Sequence, residues 1–330
     1  MSALRSSPDV VIAGAGIIGL SLALELHSRG TSVAVLDPAR ALRQTSWAAA
    51  GMLAADDPHN PEALRPLARF SESLYPGYLQ HIQTLSGLDV PFQTDTVVQY
   101  LPSGVTRTFA EHSIDPRQLV TALLSAVRAR GIALYENTGR WDFADFENTL
   151  HIRTHSGVEL HPTQLVHASG AWFQGRQIIT PRKGQMLRVA MPPSLDLGEV
   201  HRRADIYLVP RTQGPQSGTV VIGATDEDAG YDLRTHTHDL DRLRALAAEL
   251  LPAFASATDA PVVESWAGLR PGTPDNLPLL GALSPRQYAA TGHYRNGILL
   301  APATAIVMAD FITGKAPTID LAAFNPERFL

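Results

Sequence analysis

Three glycines at the spacing Gly14-x-Gly16-x-x-Gly19, inside residues 9–37 ("DVVIAGAGIIGLSLALELHSRGTSVAVLD"), constrain this chain more than any other feature. They follow an apolar run of strand length and open a helical run that stops at Gly30; a second apolar run then ends in Asp37. Such glycines recur in apolar helices for packing reasons alone. Between a strand and a helix, with an acid about 20 residues on, they predict a dinucleotide-binding βαβ unit. The glycines permit a tight turn and let a pyrophosphate approach the free N–H groups of the helix N-terminus, whose dipole favours an anion. Asp37 is then expected to accept hydrogen bonds from an adenosine ribose.

The remaining pattern fits an α/β protein. Helical stretches are expected around residues 62–86, 115–131 and 240–251, with short strands over 90–107 and 132–170 and within 183–264. Residues 288–314 read as strand, glycine-bearing loop and helix. A chain of 330 residues with 45% hydrophobic content has the apolar material for two domains. Nucleotide-binding character at both chain ends predicts that each domain is assembled from separated segments. Residues 1–88, 115–175 and 265–330 form the cofactor domain, and 89–114 and 176–264 form the second.

Composition removes several classes. A formal net charge of -5 leaves no basic stripe for nucleic acid or an anionic membrane surface. Cysteine is absent, which rules out disulfides, thiolate metal sites, catalytic thiols and cysteine-linked cofactors. No run reaches the roughly 18 charge-free apolar residues of a membrane span, and a cytoplasmic protein is expected. Among 12 histidines only "THTHD", with His236 and His238, approaches a cluster; lacking a third ligand it reads as a solvated loop, and no metal is expected. "ASGAW" lacks the flanking glycine of a nucleophile elbow. Lys183, one of two lysines, reads equally as a strand-end surface charge or a catalytic group.

Two further stretches bear on the ligand. "TSWAAAGML" (45–53) is a run of small residues just beyond the ribose-binding acid, suited to lie along a bound flavin, although helix packing accounts for alanines equally well. Arg270, in "WAGLRPGTPDNLPLLG", follows an apolar run and precedes a stiff Pro-Gly turn. A guanidinium fixed in this way can hold a carboxylate through two charge-assisted hydrogen bonds, unless it pairs with a structural acid such as Asp275.

Together with "PRKGQ", "IYLVPR", "VVIGATDEDAGYD" and "GHYRNGILLAPATA", these motifs resemble the glycine oxidases of thiamine biosynthesis, within the D-amino-acid oxidase group. The resemblance runs from the first strand to about Ile312. It implies non-covalent FAD in a Rossmann-like domain beside a mostly antiparallel α+β substrate domain. Carried over by position, the flavin contacts fall on Gly14, Gly16, Ile17, Ile18 and Gly19, on Asp37 and Pro38, and on Thr45, Ser46, Ala50, Gly51 and Met52. They continue on Arg140 and on His293, Tyr294, Arg295, Asn296, Gly297, Ile298 and Leu299. Substrate residues fall on Arg270, Tyr207 and Arg295.

The resemblance further implies hydride transfer from a small amino acid or amine to the flavin, reoxidation by O2 to H2O2, and an imine that hydrolyses or enters thiazole synthesis. With the substrate carboxylate clamped, no strong side-chain base is required. Relatives are often homotetramers. Between Gln93 and Asp115 this chain is shorter than the family pattern, which leaves the substrate wall open to change. Two alternatives stay open: a flavin dehydrogenase of amino or hydroxy acids that passes electrons to a quinone or carrier, and a flavin-binding protein without turnover.

Overall fold

The computed structural model describes residues 5–146, 149–173 and 178–329. Its centre is a six-stranded sheet in the order Leu279–Ser284, Gln287–Thr291, Gln164–His167, Val10–Ala13, Val33–Leu36, Ala133–Tyr135. Four of the five neighbouring pairs are parallel, and the strand at one edge, Leu279–Ser284, pairs antiparallel. Val10–Ala13 and Val33–Leu36 are buried on both faces, as their unbroken apolar runs require. Helix Ile17–Ser28 is apolar almost all round, because it packs on the sheet and against the late helix Gly297–Ile312.

A second sheet of seven strands runs Val262–Gly272, Thr180–Ala190, Thr219–Gly223, Ile206–Arg211, Val200–Arg203, Phe92–Tyr100, Thr106–Ile114. All its pairs are antiparallel except Val200–Arg203 beside Phe92–Tyr100. Alternation separates its faces. Ile206 and Leu208 join Leu187, Ile222 and Leu243 beneath helix Thr237–Leu250, while Tyr207 and Val209 point the other way, toward Ala50. Val262–Gly272 pairs along its length with Thr180–Ala190. A domain boundary at 265 therefore cuts a continuous strand, and residues through 272 go with the seven-stranded sheet; hydropathy alone could not reveal which sheet the strand joins. A four-stranded sheet, Arg5–Ser6, Glu159–Leu160, Thr149–Thr154 and Trp141–Phe146, completes the architecture.

Helix Arg65–Ser86 braces Gly297–Ile312 through hydrogen bonds. Pro302 lies inside the latter helix and has no N–H to give the carbonyl four residues earlier, that of Ile298. The buried Tyr75 hydroxyl donates to that carbonyl instead, at 2.5 Å. One residue on, Ser71 Oγ donates to Leu299 O at 2.6 Å and accepts from Ala303 N at 3.2 Å. Two side chains thus repair the break at the helix start. Among the described residues, no helix is long and apolar enough to cross a membrane.

Candidate functional site

Between the two larger sheets lies a cavity of roughly 1240 Å³ lined by residues of both. Sites for single small ligands occupy about 300–1,000 Å³, so this one has room for a dinucleotide and a small molecule together.

At one end is the glycine turn. Gly14 has φ 122°, and a Cβ there would stand 2.6 Å from the Ala168 carbonyl carbon. Gly19 lies against the Gly14 carbonyl with no space for a side chain, which fixes helix to strand. Gly16 meets only Ser46 Oγ, at 3.5 Å, and opens on the cavity. Ile17 and Ile18 also line it, with Ile17 N donating to Ser46 Oγ at 3.0 Å. Asp37 accepts from Ala15 N and Ala39 N, each at 2.8 Å, and so ties the turn to the end of the second strand while facing the cavity beside Pro38. Burial raises its pKa against the pull of those two N–H groups.

The small-residue run forms the next wall. Thr45 to Ala48 is one helical turn, with Thr45 Oγ1 donating to Leu269 O at 2.6 Å; Ala50, Gly51 and Met52 then pass along the cavity. Gly51 has φ 96° and crowds Ile114 and Pro116, so no larger residue fits. Arg211, buried, donates to the Ala50 carbonyl at 2.8 Å and fixes this run from behind. Arg140 lines the far side, its carbonyl accepting from His155 N at 2.8 Å. His293, Tyr294, Arg295, Asn296, Gly297 and Ile298 close the opposite wall at the start of the last helix. Leu299 points into the core, away from the cavity. A glycine cradle, an open helix N-terminus, an acid at the second strand end and a backbone wall of small residues fit a flavin dinucleotide.

The substrate candidates meet at the other end. Arg270 lines the cavity, and its Nη1 donates to Thr225 O at 3.1 Å and Lys183 O at 3.5 Å. No carboxylate among the described residues forms an ion pair with it; Asp275 is taken by Arg328 at 2.8 Å. Tyr207 stands beside it, its hydroxyl 3.4 Å from Met186 Sδ, in space that Gly223 leaves open. Burial raises the Tyr207 pKa, with Arg270 and Arg295 pulling it back. Arg295 is in the same cavity but is not free: Nη2 donates to Asp57 Oδ2 at 2.9 Å.

Lys183 fits neither sequence reading. It is fully buried, with Nζ 3.1 Å from Asp232 and 3.8 Å from Glu227, and does not line the cavity. Its carbonyl, not its amine, serves the site. The "THTHD" stretch is the start of a helix rather than a loop: His236 is the N-cap, with Nε2 3.3 Å from Asp232 Oδ2, and His238 is exposed. Among the described residues no group of three or more His, Cys, Asp or Glu is placed to hold a metal.

Sequence reasoning missed a charged wall beside Tyr207. Arg202 holds Glu111 by two bonds, at 2.9 and 3.1 Å, and lies 3.8 Å from Asp57; all three are buried. Burial pushes Glu111 up to about 7 despite the Arg202 fork. Gln99, also buried, lines the cavity next to Arg202. At the mouth, Tyr294 donates to Asp226 at 2.9 Å, and Arg182 pairs with the same carboxylate at 3.1 Å. Neighbouring strands bring Gln99, Arg202 and Glu111 together, and no local motif marks these three.

Comparison with known proteins agrees with this geometry. The profile of a family described as DAO, FAD dependent oxidoreductase, matches residues 9–112 and 102–311. The chain is 33% identical over 370 aligned residues to a bifunctional protein ThiO/ThiG of Trichormus variabilis, covering 97% of this chain and 55% of that protein. It is 30% identical to a glycine oxidase of Geobacillus kaustophilus, covering 98% and 97% of the two chains. The chain thus spans about half the length of the bifunctional relatives and nearly all of the monofunctional one. A crystal structure of glycine oxidase from Geobacillus kaustophilus superposes with a TM-score of 0.90 at 27% identity, over 97% of this chain and 98% of that one.

Proposed function

Because the chain belongs to the DAO family of FAD-dependent oxidoreductases, we propose that it oxidises the amine of a small amino acid such as glycine, with O2 as electron acceptor. The observation that carries this reading is Arg270, a guanidinium facing the cavity that is held by carbonyl oxygens and forms no ion pair with a carboxylate among the described residues. Such a fork beside a phenol suits a carboxylate. Arg295 is neutralised by Asp57, so of the two arginines near Tyr207 it is Arg270 that is left to pair with a substrate carboxylate.

FAD would be held by the glycine turn, Asp37, the wall from Ala50 to Met52 and the residues from His293 to Ile298, and when bound it supplies a two-electron acceptor. Arg270 and Tyr207 orient the substrate by its carboxylate and so present its Cα. No lining side chain is poised as a strong base. Burial holds Tyr207 protonated and pushes His293 down to about 3, while Arg182 and Tyr294 keep Asp226 low. Positioning therefore carries the rate, and the amine reacts in its neutral form. Electrons leave to O2 as H2O2, and the imine product hydrolyses to an oxo acid and ammonia or enters thiazole synthesis.

The test is an anaerobic absorbance spectrum before and after adding glycine, followed by air with peroxide detection. Bleaching of the flavin bands and their return with stoichiometric peroxide is expected. Bleaching with no peroxide on readmission of air would replace O2 by another acceptor; no bleaching by any small amino acid would refute the substrate class.

A further inference from the structure

The row of side chains that crosses the seven-stranded sheet at Tyr207 continues past it. Register places Tyr207 opposite Arg202, and Arg202 opposite Gln99. Residues opposite one another on adjacent strands share a face, and all three line the cavity.

Arg202 is committed to Glu111 and Asp57. Gln99 differs. The residue is 8% exposed and lines the cavity, and its amide has no hydrogen-bond partner among the described residues. A primary amide carries two donors and an acceptor oxygen. The polar atoms of Gln99 are not among the side-chain atoms shut off without a partner, so they stay open to what the cavity holds. An amide held in a cavity wall without a protein partner is therefore set to pair with what the cavity binds.

The surroundings define that ligand group. Asp57 and Glu111 balance Arg202 and Arg295, so a further full charge there would lack a counter-ion. A neutral group that both donates and accepts fits best. Gln99 lies two strands from Tyr207, about 10 Å along the sheet. A substrate clamped at Arg270 and Tyr207 bridges that distance with an extended side chain that meets the Gln99 side chain part way. A hydrogen or a methyl group on Cα is too short.

We propose that Gln99 is a specificity residue that pairs with a primary amide at the end of the substrate side chain, so that asparagine- or glutamine-like amino acids are substrates as well as glycine. The inference rests on the proposed amino-acid oxidation and deepens it.

The holoenzyme would be assayed for kcat/KM with glycine and with both enantiomers of leucine, asparagine and glutamine. In the parent, an amide substrate is expected to exceed leucine of the same hand. Gln99→Met keeps the volume and removes the polar atoms, and should lower that amide-to-leucine ratio about five- to tenfold, the worth of a lost pair of neutral hydrogen bonds. Gln99→Asn keeps the amide on a shorter stem and should fall between. If glycine bleaches the flavin while the parent shows no preference for amide over leucine, or if Gln99→Met leaves the ratio unchanged, the Gln99 inference is wrong and the oxidase reading stands. If no amino acid bleaches the flavin, the oxidase reading itself fails. Should Gln99→Met lose its flavin, the parent panel and Gln99→Asn decide.

Discussion

The guanidinium of Arg270 rests over the Cα of Gly184: a methyl group on Gly184 would stand 2.6 Å from Arg270 Cζ. Two residues on neighbouring strands, one large and one with no side chain, thus form a single positioning device. Thr225 and Lys183 complete it through their carbonyls.

Gly184→Ala should therefore mimic loss of the arginine. Both Gly184→Ala and Arg270→Ala are expected to purify yellow and to lose about 10²–10³-fold in kcat/KM for glycine, the range for removing one partner of a buried charge-assisted contact. Arg270→Lys should also be impaired, since a point charge does not reproduce the fork. Steady-state kinetics on flavin-saturated protein checks this, and turnover of either alanine variant at parental efficiency would remove Arg270 from substrate binding.

The hydrogen bond from Tyr75 to Ile298 O supports the wall where the last helix begins. Tyr75→Phe leaves that buried carbonyl with no donor, since Pro302 has none to offer. A loss of about 1–3 kcal/mol in unfolding free energy is expected, read from urea denaturation midpoints at constant slope. Weaker FAD retention on dilution should accompany it. Full parental stability in Tyr75→Phe would mean that another donor reaches this carbonyl.

His293 gives a pH dependence. It is buried with Nε2 3.0 Å from Thr304 Oγ1, and burial pushes its pKa down to about 3. A folded value below the unfolded one, about 6.5, means that the stability from neutral His293 is complete above pH 6.5 and is lost as pH falls toward 3. Between pH 7.5 and 5.0 this amounts to about 2 kcal/mol. His293→Asn should lack that slope, so its unfolding free energy should decline less than the parent's over the same interval. Parallel declines would show that His293 titrates normally in the folded protein.

The βαβ unit was legible because its evidence is local: glycines, apolar runs and Asp37 follow one another in sequence. Arg270 stood out as a cation before a rigid turn, but the sequence left open a pairing with Asp275, which Arg328 takes instead. What sequence could not supply is register. Gln99, Arg202 and Tyr207 share a row only because Val200–Arg203 runs parallel to Phe92–Tyr100 while its other neighbour is antiparallel. Arg295 looked as free as Arg270 until the fold brought Asp57 against it. Lys183 sits in a polar motif, yet residues 44 and 49 positions downstream, Glu227 and Asp232, enclose its amine. The glycine of "PRKGQ" is explained only by the arginine on the next strand.

The repaired break at Pro302 bears on which parts of the chain must meet before the cavity is closed. Gly14 and Pro302 lie far apart in sequence, and the wall that Ile298 and Pro302 form depends on donors from the helix Arg65–Ser86. Without residues 297–302 docked, the Tyr75 and Ser71 hydroxyls lack the carbonyls they serve, and the cavity is open on that side. A flavin held at the glycine turn therefore depends on the docking of a segment distant in sequence.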